Sequence, residues 1–265
     1  MPTVELDYED FIRLLSKKYK PEELQESISM FGVDLEKIDE KSIVMEVFPN
    51  RPDILSVEGF TREMRAFLGI ETGLKNYEVH DSDVEIKVHK SVENVRPYIG
   101  GAIIKDVSLD EKFLISIMNL QEKLHITHGR NRKKVAIGVH DFKKLEPPLY
   151  YTTYKGDEIS FVPLDSTKKM TLEEILKEHP KGIEYSWILK NSSRYPIILD
   201  KSGEVVSFPP IINAEKTRVT LNTRDLLIEV TGTDKKAVLQ ALNIVVTSIA
   251  ERCGKIYAVN IVREN

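Results

Sequence analysis

Cysteine is almost missing from this chain: Cys253 stands alone among 265 residues. One thiol cannot close an internal disulfide, and it cannot supply a Cys-rich zinc site. Long apolar runs are missing too. No stretch approaches the roughly 18 consecutive apolar residues of a membrane-crossing helix, and the acidic opening MPTVELDYEDF lacks the apolar core of a secretion signal. A cytoplasmic protein with no membrane partner is therefore expected. The common catalytic signatures are absent as well, with no Walker loop, G-x-G-x-x-G, H-E-x-x-H or G-x-S-x-G. No sign of charge dominates either. Lys and Arg number 38 against 42 Asp and Glu, a net −4, so nothing pulls the chain globally toward nucleic acid. Glutamine occurs at positions 25, 121 and 240 alone, while Lys and Glu abound, the bias of heat-adapted proteins.

What is present reads as globular. Apolar residues make up 41% and charged residues 30%, enough for a full core in one large domain or two of ordinary size. The first 80 residues alternate helix and strand signals. Asp7 caps a helix over Tyr8–Tyr19, Pro21 opens a second that Gly32 ends, Ser42–Val47 is a strand, and Ser56 caps a helix ended by Gly69. Gly73–Asp83 is polar and aperiodic, which places a domain boundary near residue 80. The remainder is strand-rich: Val84–His89, Tyr98–Val107, Val135–His140, Tyr185–Leu189, Tyr195–Asp200, Glu204–Phe208, Arg218–Leu221, Leu226–Val230 and Ile256–Val262. Gly100-Gly101 marks a bulge or a close approach. Helices are expected over Lys112–Leu124, after the Thr171/Glu174 capping box up to Pro180, and from the Asp234 cap to about Arg252. The fold class is α+β: a small N-terminal α/β domain, residues 1–80, then a larger, mainly antiparallel α+β domain, residues 81–265.

Four features carry chemistry. Glu229 interrupts the apolar strand Leu226–Val230. On a strand it shares a face with Leu227, so it either lines a pocket or sits on an exposed face. His140-Asp141 ends another apolar strand, as a pocket imidazole or as a pair satisfied by backbone groups. Arg130, Arg132, Lys133 and Lys134 form a basic run, suited to phosphate contact or simply solvated. His125 and His128 lie three apart, but no third ligand stands at metal spacing, and no metal site is expected.

Several longer segments resemble one family. PNRPDILSVEGFTREMRAFL, Pro49–Leu68, is similar to the P-N-R-x-D-x-L-S-x-x-G-x-x-R-E segment of phenylalanyl-tRNA synthetase β subunits. KKVAIGVHD and Leu199–Thr233, with FPPIIN, TRVTLNTRD and LLIEVTGTD, resemble the editing domain of the archaeal and eukaryotic form. The three lie in the family's order, and the resemblance covers nearly the whole chain. The resemblance implies an N-terminal fragment of a β subunit. Its partners would be an α subunit, in an (αβ)₂ enzyme, and tRNA(Phe), with no DNA. ATP and Mg would serve the whole synthetase, and no cofactor would serve this fragment. The implied activity is hydrolysis of tyrosine wrongly attached to tRNA(Phe); the alternative is a noncatalytic module that binds tRNA or the α subunit.

Carried over by position, His140-Asp141 matches the bacterial H-A-F-D segment, and PPIINAE matches G-G-I-x-G-G-E. That places Pro210, Ile211, Asn213 and Glu215 in the pocket-lining loop. Glu229 matches the end of L-L-E, with Thr231, Thr233 and Asp234 following it. Pro209, Pro210, Asn213 and Ala214 replace the bacterial glycines, and the bacterial H-T-D-A-S-H segment has no counterpart. The resemblance makes Glu229 the recogniser of the tyrosyl hydroxyl or amine, and Arg130, Arg132, Lys133 and Lys134 the tRNA contacts. No Ser-His-Asp or Cys-His constellation is visible, so no catalytic side chain is assigned. The site would position a water, with the terminal ribose hydroxyl assisting.

Overall fold

The computed structural model describes residues 2–264. β1 (Thr3–Asp7), α1 (Tyr8–Leu15), α2 (Pro21–Phe31), β2 (Asp34–Ile38), β3 (Ser42–Glu46) and α3 (Val57–Phe67) form the first unit. Its strands pair antiparallel in the order β1-β3-β2. The alternation of VELD, with Val4 and Leu6 buried, makes β1 a half-buried strand that the sequence reading missed. Asp7 and Ser56 cap α1 and α3 as expected, accepting from the N–H groups of Asp10 and Gly59. Helix α1 stops at Leu15, short of Tyr19, because Ser16 turns left-handed.

The chain continues through β4 (Val79–His80), β5 (Glu85–Val88), β6 (Tyr98–Lys105), α4 (Glu111–Ile126), β7 (Val135–Asp141) and β8 (Leu149–Tyr154). Short strands β9 (Ser160–Phe161) and β10 (Met170–Thr171) lead to α5 (Leu172–Glu178) and α6 (Pro180–Tyr185). Then come β11 (Tyr195–Leu199), β12 (Val205–Phe208), β13 (Ile212–Asn213), β14 (Leu226–Gly232), α7 (Lys235–Ala250), β15 (Lys255–Ala258) and β16 (Asn260–Arg263). Two larger sheets result, ordered β4-β15-β6-β14-β7 and β13-β12-β11-β8-β5-β16. Pairing is mainly antiparallel, with β4–β15, β5–β8 and β5–β16 parallel.

Two expected strands are not strands. Tyr185–Leu189 is the end of α6 followed by a 3-10 turn over Ser186–Leu189. Pro180, expected only to stop α5, sits at the first position of α6, where its missing N–H costs nothing. Arg218–Leu221 is an irregular connection, with the Arg218 guanidinium held by Glu215 and Asp165.

The layers explain where polar groups end up. Leu226, Ile228 and Val230 face α4 and α7 in a core that runs on to Phe11, Met45 and Phe60 of the first unit. Leu227 faces the other way, into a layer with Ile103, Tyr151, Ile198 and Val206 between the two sheets. Beyond the six-stranded sheet, Phe208 and Ile197 pack on Leu172, Ile175 and Tyr185. β6 pairs with β14 in unbroken register, so Gly100-Gly101 is a close approach and not a bulge. A Cβ on Gly100 would meet Leu242 Cδ2 at 3.2 Å, and one on Gly101 would meet Ile86 Cδ1 at 3.0 Å. The polar stretch Gly73–Asp83 is tied down: β4 pairs with β15, and Lys75 and Tyr77 bind Glu251. Among the described residues no helix is long and apolar enough to cross a membrane.

Candidate functional site

Strand β14 is flanked by β6 and β7, and Glu229 lies opposite Gly101 on one and Gly138 on the other. The glycine at 138 is a packing requirement. A Cβ there would come within 2.4 Å of Glu229 Oε1 and 2.7 Å of His140 Nε2. Glu229 is 2% exposed and His140 is fully buried. His140 Nδ1 is 2.8 Å from Thr217 Oγ1, and that hydroxyl donates its one proton to the Ala214 carbonyl at 3.1 Å. The network therefore assigns the imidazole proton to Nδ1 and leaves a lone pair on Nε2. Nε2 faces Glu229 Oε1 across 3.8 Å. Both His140 Nε2 and Glu229 Oε2 are buried without a hydrogen-bond partner.

Glu229 opens into a cleft of about 390 Å³ between β7, the C-terminal half of α4 and the Pro209–Asn213 turn. That is the size range of small-molecule sites, roughly 300–1,000 Å³. Pro210, Ile211, Ile212 and Ala136 make it largely apolar, and Ser207 and Asn213 add polar groups. His125 and Arg132 also line it, and His125 Nδ1 and Arg132 Nε are buried without partners. Orphaned buried polar atoms are rare in folded proteins. Glu229, His125 and Arg132 gather such atoms in one cleft, with His140 behind Glu229. A larger cleft, about 600 Å³ between β1 and α4, contains none of them.

The basic run is the most strained backbone in the chain. Arg130, Asn131 and Arg132 adopt φ of 50°, 53° and 66° in succession. Left-handed residues with a Cβ cost about 1–2 kcal/mol each and normally occur singly. Arg96, 1% exposed, holds the turn in place. Its guanidinium donates to the carbonyls of Lys133 at 3.0 Å, Arg132 at 3.1 Å and Thr231 at 2.9 Å, and to Thr231 Oγ1 at 2.9 Å. Burial pulls Arg96 down to about 10, which the negative charge of Glu229 helps to limit. The turn directs Arg132 inward, over the Tyr185 ring at 4.3 Å, donating to the Ile211 carbonyl at 3.0 Å and to Glu122 at 3.3 Å. The His125 imidazole, then Arg132, hold the Glu122 carboxyl down to about 2, so it stays ionised.

Several expected site residues come together here, and others do not. Glu229, Pro210, Ile211 and Asn213 line the cleft, and His140 lies behind Glu229, its Nε2 3.8 Å from Oε1 without a hydrogen bond. Glu215 turns away to bind Arg218 and the Asp165 N–H. Asp141 accepts from Thr223 and the Lys143 N–H. Thr231 is buried against Arg96. Asp234 caps α7 and pairs with Lys134, and Thr233 donates its N–H to the Lys134 carbonyl. Arg132, expected as a surface contact, is an inward cleft residue; Arg130 and Lys133 are exposed. Arg96, Glu122, Gly138 and His125 in this role escaped the sequence reading. Arg96 and Gly138 carried no local signal, since their partners lie far along the chain. His125 carried none either: it is buried in the last turn of α4 but lies about 100° around the helix from Leu124.

Comparison with known proteins covers the same ground. The B3/4 domain family matches residues 109–254. The phenylalanine–tRNA ligase β subunit of Methanocaldococcus jannaschii is 52% identical over 100% of this chain and 49% of its own length. That of Methanococcoides burtonii is 48% identical over 99% of this chain and 48% of its own. The crystal structure of an N-terminal fragment of the phenylalanyl-tRNA synthetase β subunit from Pyrococcus horikoshii superposes with a TM-score of 0.95 at 40% identity, covering 99% of this chain and 77% of that one. Residues 109–254, which include the cleft, match the B3/4 domain family. The chain belongs to the phenylalanyl-tRNA synthetase β-subunit family, and it spans about half the length of the curated archaeal relatives it matches.

Proposed function

We propose that this chain edits: it hydrolyses the ester of tyrosine wrongly attached to tRNA(Phe), in the cytoplasm, within a synthetase that also contains an α subunit. The observation that carries this reading is Glu229, a carboxylate that lines a mostly apolar cleft and has one buried oxygen, Oε2, without a partner. A phenol hydroxyl donates to such an oxygen. Phenylalanine brings no donor and leaves the oxygen unpaired. A site built to hydrogen-bond a hydroxyl rejects its deoxy analogue by roughly 10⁴–10⁵, whereas an apolar synthetic site rejects an added hydroxyl by only about 100-fold. Editing supplies that missing discrimination. Pro210, Ile211 and Asn213 form the wall, and His140 packs behind Glu229. Water is the nucleophile, positioned by the cleft with the terminal ribose hydroxyl assisting. The α3 and β1–β3 unit, residues 1–80, serves as a packing or docking unit beside the editing domain, residues 81–265.

Incubating the purified chain with Tyr-tRNA(Phe) and Phe-tRNA(Phe) tests this. Selective loss of tyrosine supports editing. Loss of neither overturns it and favours a noncatalytic tRNA- or subunit-binding module. Glu229→Ala should retain Tyr-tRNA while keeping the wild-type circular dichroism spectrum; deacylation at the wild-type rate would remove Glu229 from the assignment.

A further inference from the structure

His125 is the penultimate residue of α4, 2% exposed, and its two ring nitrogens have different surroundings. Nε2 accepts the Ile137 N–H at 2.8 Å, on the outer edge of β7. That bond requires a lone pair on Nε2, so the ring proton sits on Nδ1. Burial lowers the imidazole pKa, and the ring is neutral at physiological pH. Sealing the edge of β7 accounts for Nε2 alone. Nδ1–H is a buried donor with no partner at hydrogen-bond distance; the ionised Glu122 Oε2 lies 3.7 Å away. Arg132 reaches the same Glu122 oxygen at 3.3 Å and carries a second orphaned donor, Nε. The His125 imidazole and the Arg132 guanidinium thus flank one carboxylate at the cleft wall, and each keeps one unmet donor. Ile137, to which His125 is bonded, is the neighbour of Gly138, the residue opposite Glu229. The cleft therefore has an acceptor on its floor and a pair of donors at its side.

We propose that His125 is a catalytic residue: its Nδ1–H takes the carbonyl oxygen of the aminoacyl ester and holds the oxyanion, with the Arg132 guanidinium adding positive charge beside it. This rests on the reading of the cleft as an ester-hydrolysing site. Water adds to the carbonyl carbon, and the C=O π pair moves onto the oxygen that Nδ1–H bonds. The oxyanion collapses, the C=O re-forms and the bond to the ribose oxygen breaks. The proton lost by the water ends on that ribose oxygen. His125 is a fixed donor throughout and takes no proton, which suits a neutral ring whose other nitrogen is engaged. Donors already in place stabilise developing charge without reorganising, and removal of one oxyanion donor typically lowers kcat roughly 100- to 1,000-fold.

The test uses the full chain with Tyr-tRNA(Phe). His125→Leu should lower kcat for deacylation by roughly 100-fold or more while KM changes little. His125→Gln offers a carbonyl to the Ile137 N–H and an N–H₂ to the cleft, and should recover most of the rate. Deacylation by His125→Leu at the wild-type rate overturns the proposal, as does a loss confined to KM. A second measurement does not depend on a variant folding. In wild-type protein the imidazole ¹H–¹⁵N correlation should show Nδ1 protonated, and its proton should move downfield when the adenosine 3′-phosphonate monoester of the tyrosine analogue is added. An unshifted resonance with that tetrahedral anion bound overturns the assignment. A wild-type chain that leaves Tyr-tRNA intact instead overturns the editing reading itself, which keeps the two failures distinct.

Discussion

Arg252 and Glu229 are both buried charges, and their surroundings differ completely. Arg252, at the C-terminal end of α7, is 5% exposed between Asp10 and Glu58, each 2% exposed. Every carboxylate oxygen there is met. Arg13 and Arg252 donate to Asp10, Arg252 donates to one Glu58 oxygen, and Ser116 donates to the other at 2.7 Å. The cluster joins α1 and α3 of the first unit to α4 and α7. Glu229, by contrast, has an orphaned oxygen, and His125, His140 and Arg132 around it each have an orphaned nitrogen. A buried network whose members are all paired fixes one geometry. Paired charges join α1, α3, α4 and α7; the unpaired atoms, Arg65 Nε apart, gather in or behind the cleft whose wall is a strained turn. An unmet polar group that persists in a folded protein is the mark of a place kept ready for something else.

The largest effect expected from breaking this contrast is on the paired side. Arg252→Met leaves Glu58 buried without a cation and Asp10 with Arg13 alone, and should cost about 3–5 kcal/mol, read from urea unfolding. Glu229→Ala removes a group that nothing satisfies and should cost far less while abolishing selectivity. If both variants shifted the urea midpoint equally, the distinction between the two clusters would fail. Asp10 extends the comparison to pH. Burial alone would raise its pKa, but hydrogen bonds from Arg252 and Arg13 outweigh it, and the net shift is downward. The unfolded chain then binds that proton more readily. The contribution is complete above the ordinary aspartate value of about 3.9 and is lost as pH falls through the lower folded value. Asp10→Asn should flatten part of the acid limb of stability against pH, and an unchanged limb would show that Arg252 does not hold it.

Gly138→Ala acts on the unpaired side. Alanine at a permissive glycine usually stabilises, by about 0.4–1 kcal/mol. Here the new methyl would collide with Glu229 Oε1 and His140 Nε2, and overpacking costs about 1–3 kcal/mol. The expected result is a modest loss of stability with a large loss of Tyr-tRNA deacylation. A stabilised, active variant would mean that the pair has room the geometry denies it.

The sequence made some of this contrast readable and hid the rest. Glu229 was visible because a carboxylate in LLIEV breaks a local pattern. The caps at Ser56, Thr171 and Asp234 were visible because a cap acts within three residues of itself. Tyr185–Leu189 misled, since a short apolar run fits a strand or a helical turn equally and only the packing of Tyr185 and Leu189 with Ile175 decides. Arg96 bonds Thr231 across 135 positions, and Arg252 bonds Asp10 across 242. No window along the chain contains such a pair. Arg132 shows the same limit: a basic run predicts solvent, and three left-handed residues turn it inward.

The smallest expected effect separates the members of that basic run. Lys134 is paired with Asp234 at 3.2 Å, and Arg132 is engaged by Glu122, Ile211 and Tyr185. Arg130 and Lys133 are exposed and, among the described residues, have no ion-pair partner. They remain the proposed phosphate contacts. Lys133→Glu should therefore weaken tRNA binding a few-fold and make the plot of log affinity against log salt shallower by about 1, while deacylation at saturating Tyr-tRNA stays near wild type. Arg132→Lys should do the reverse, keeping the salt slope but slowing the chemical step, because its guanidinium faces the cleft and not the solvent. An unchanged salt slope in Lys133→Glu would remove the turn's outer edge from the tRNA-binding surface, leaving the strained segment with its inward role alone.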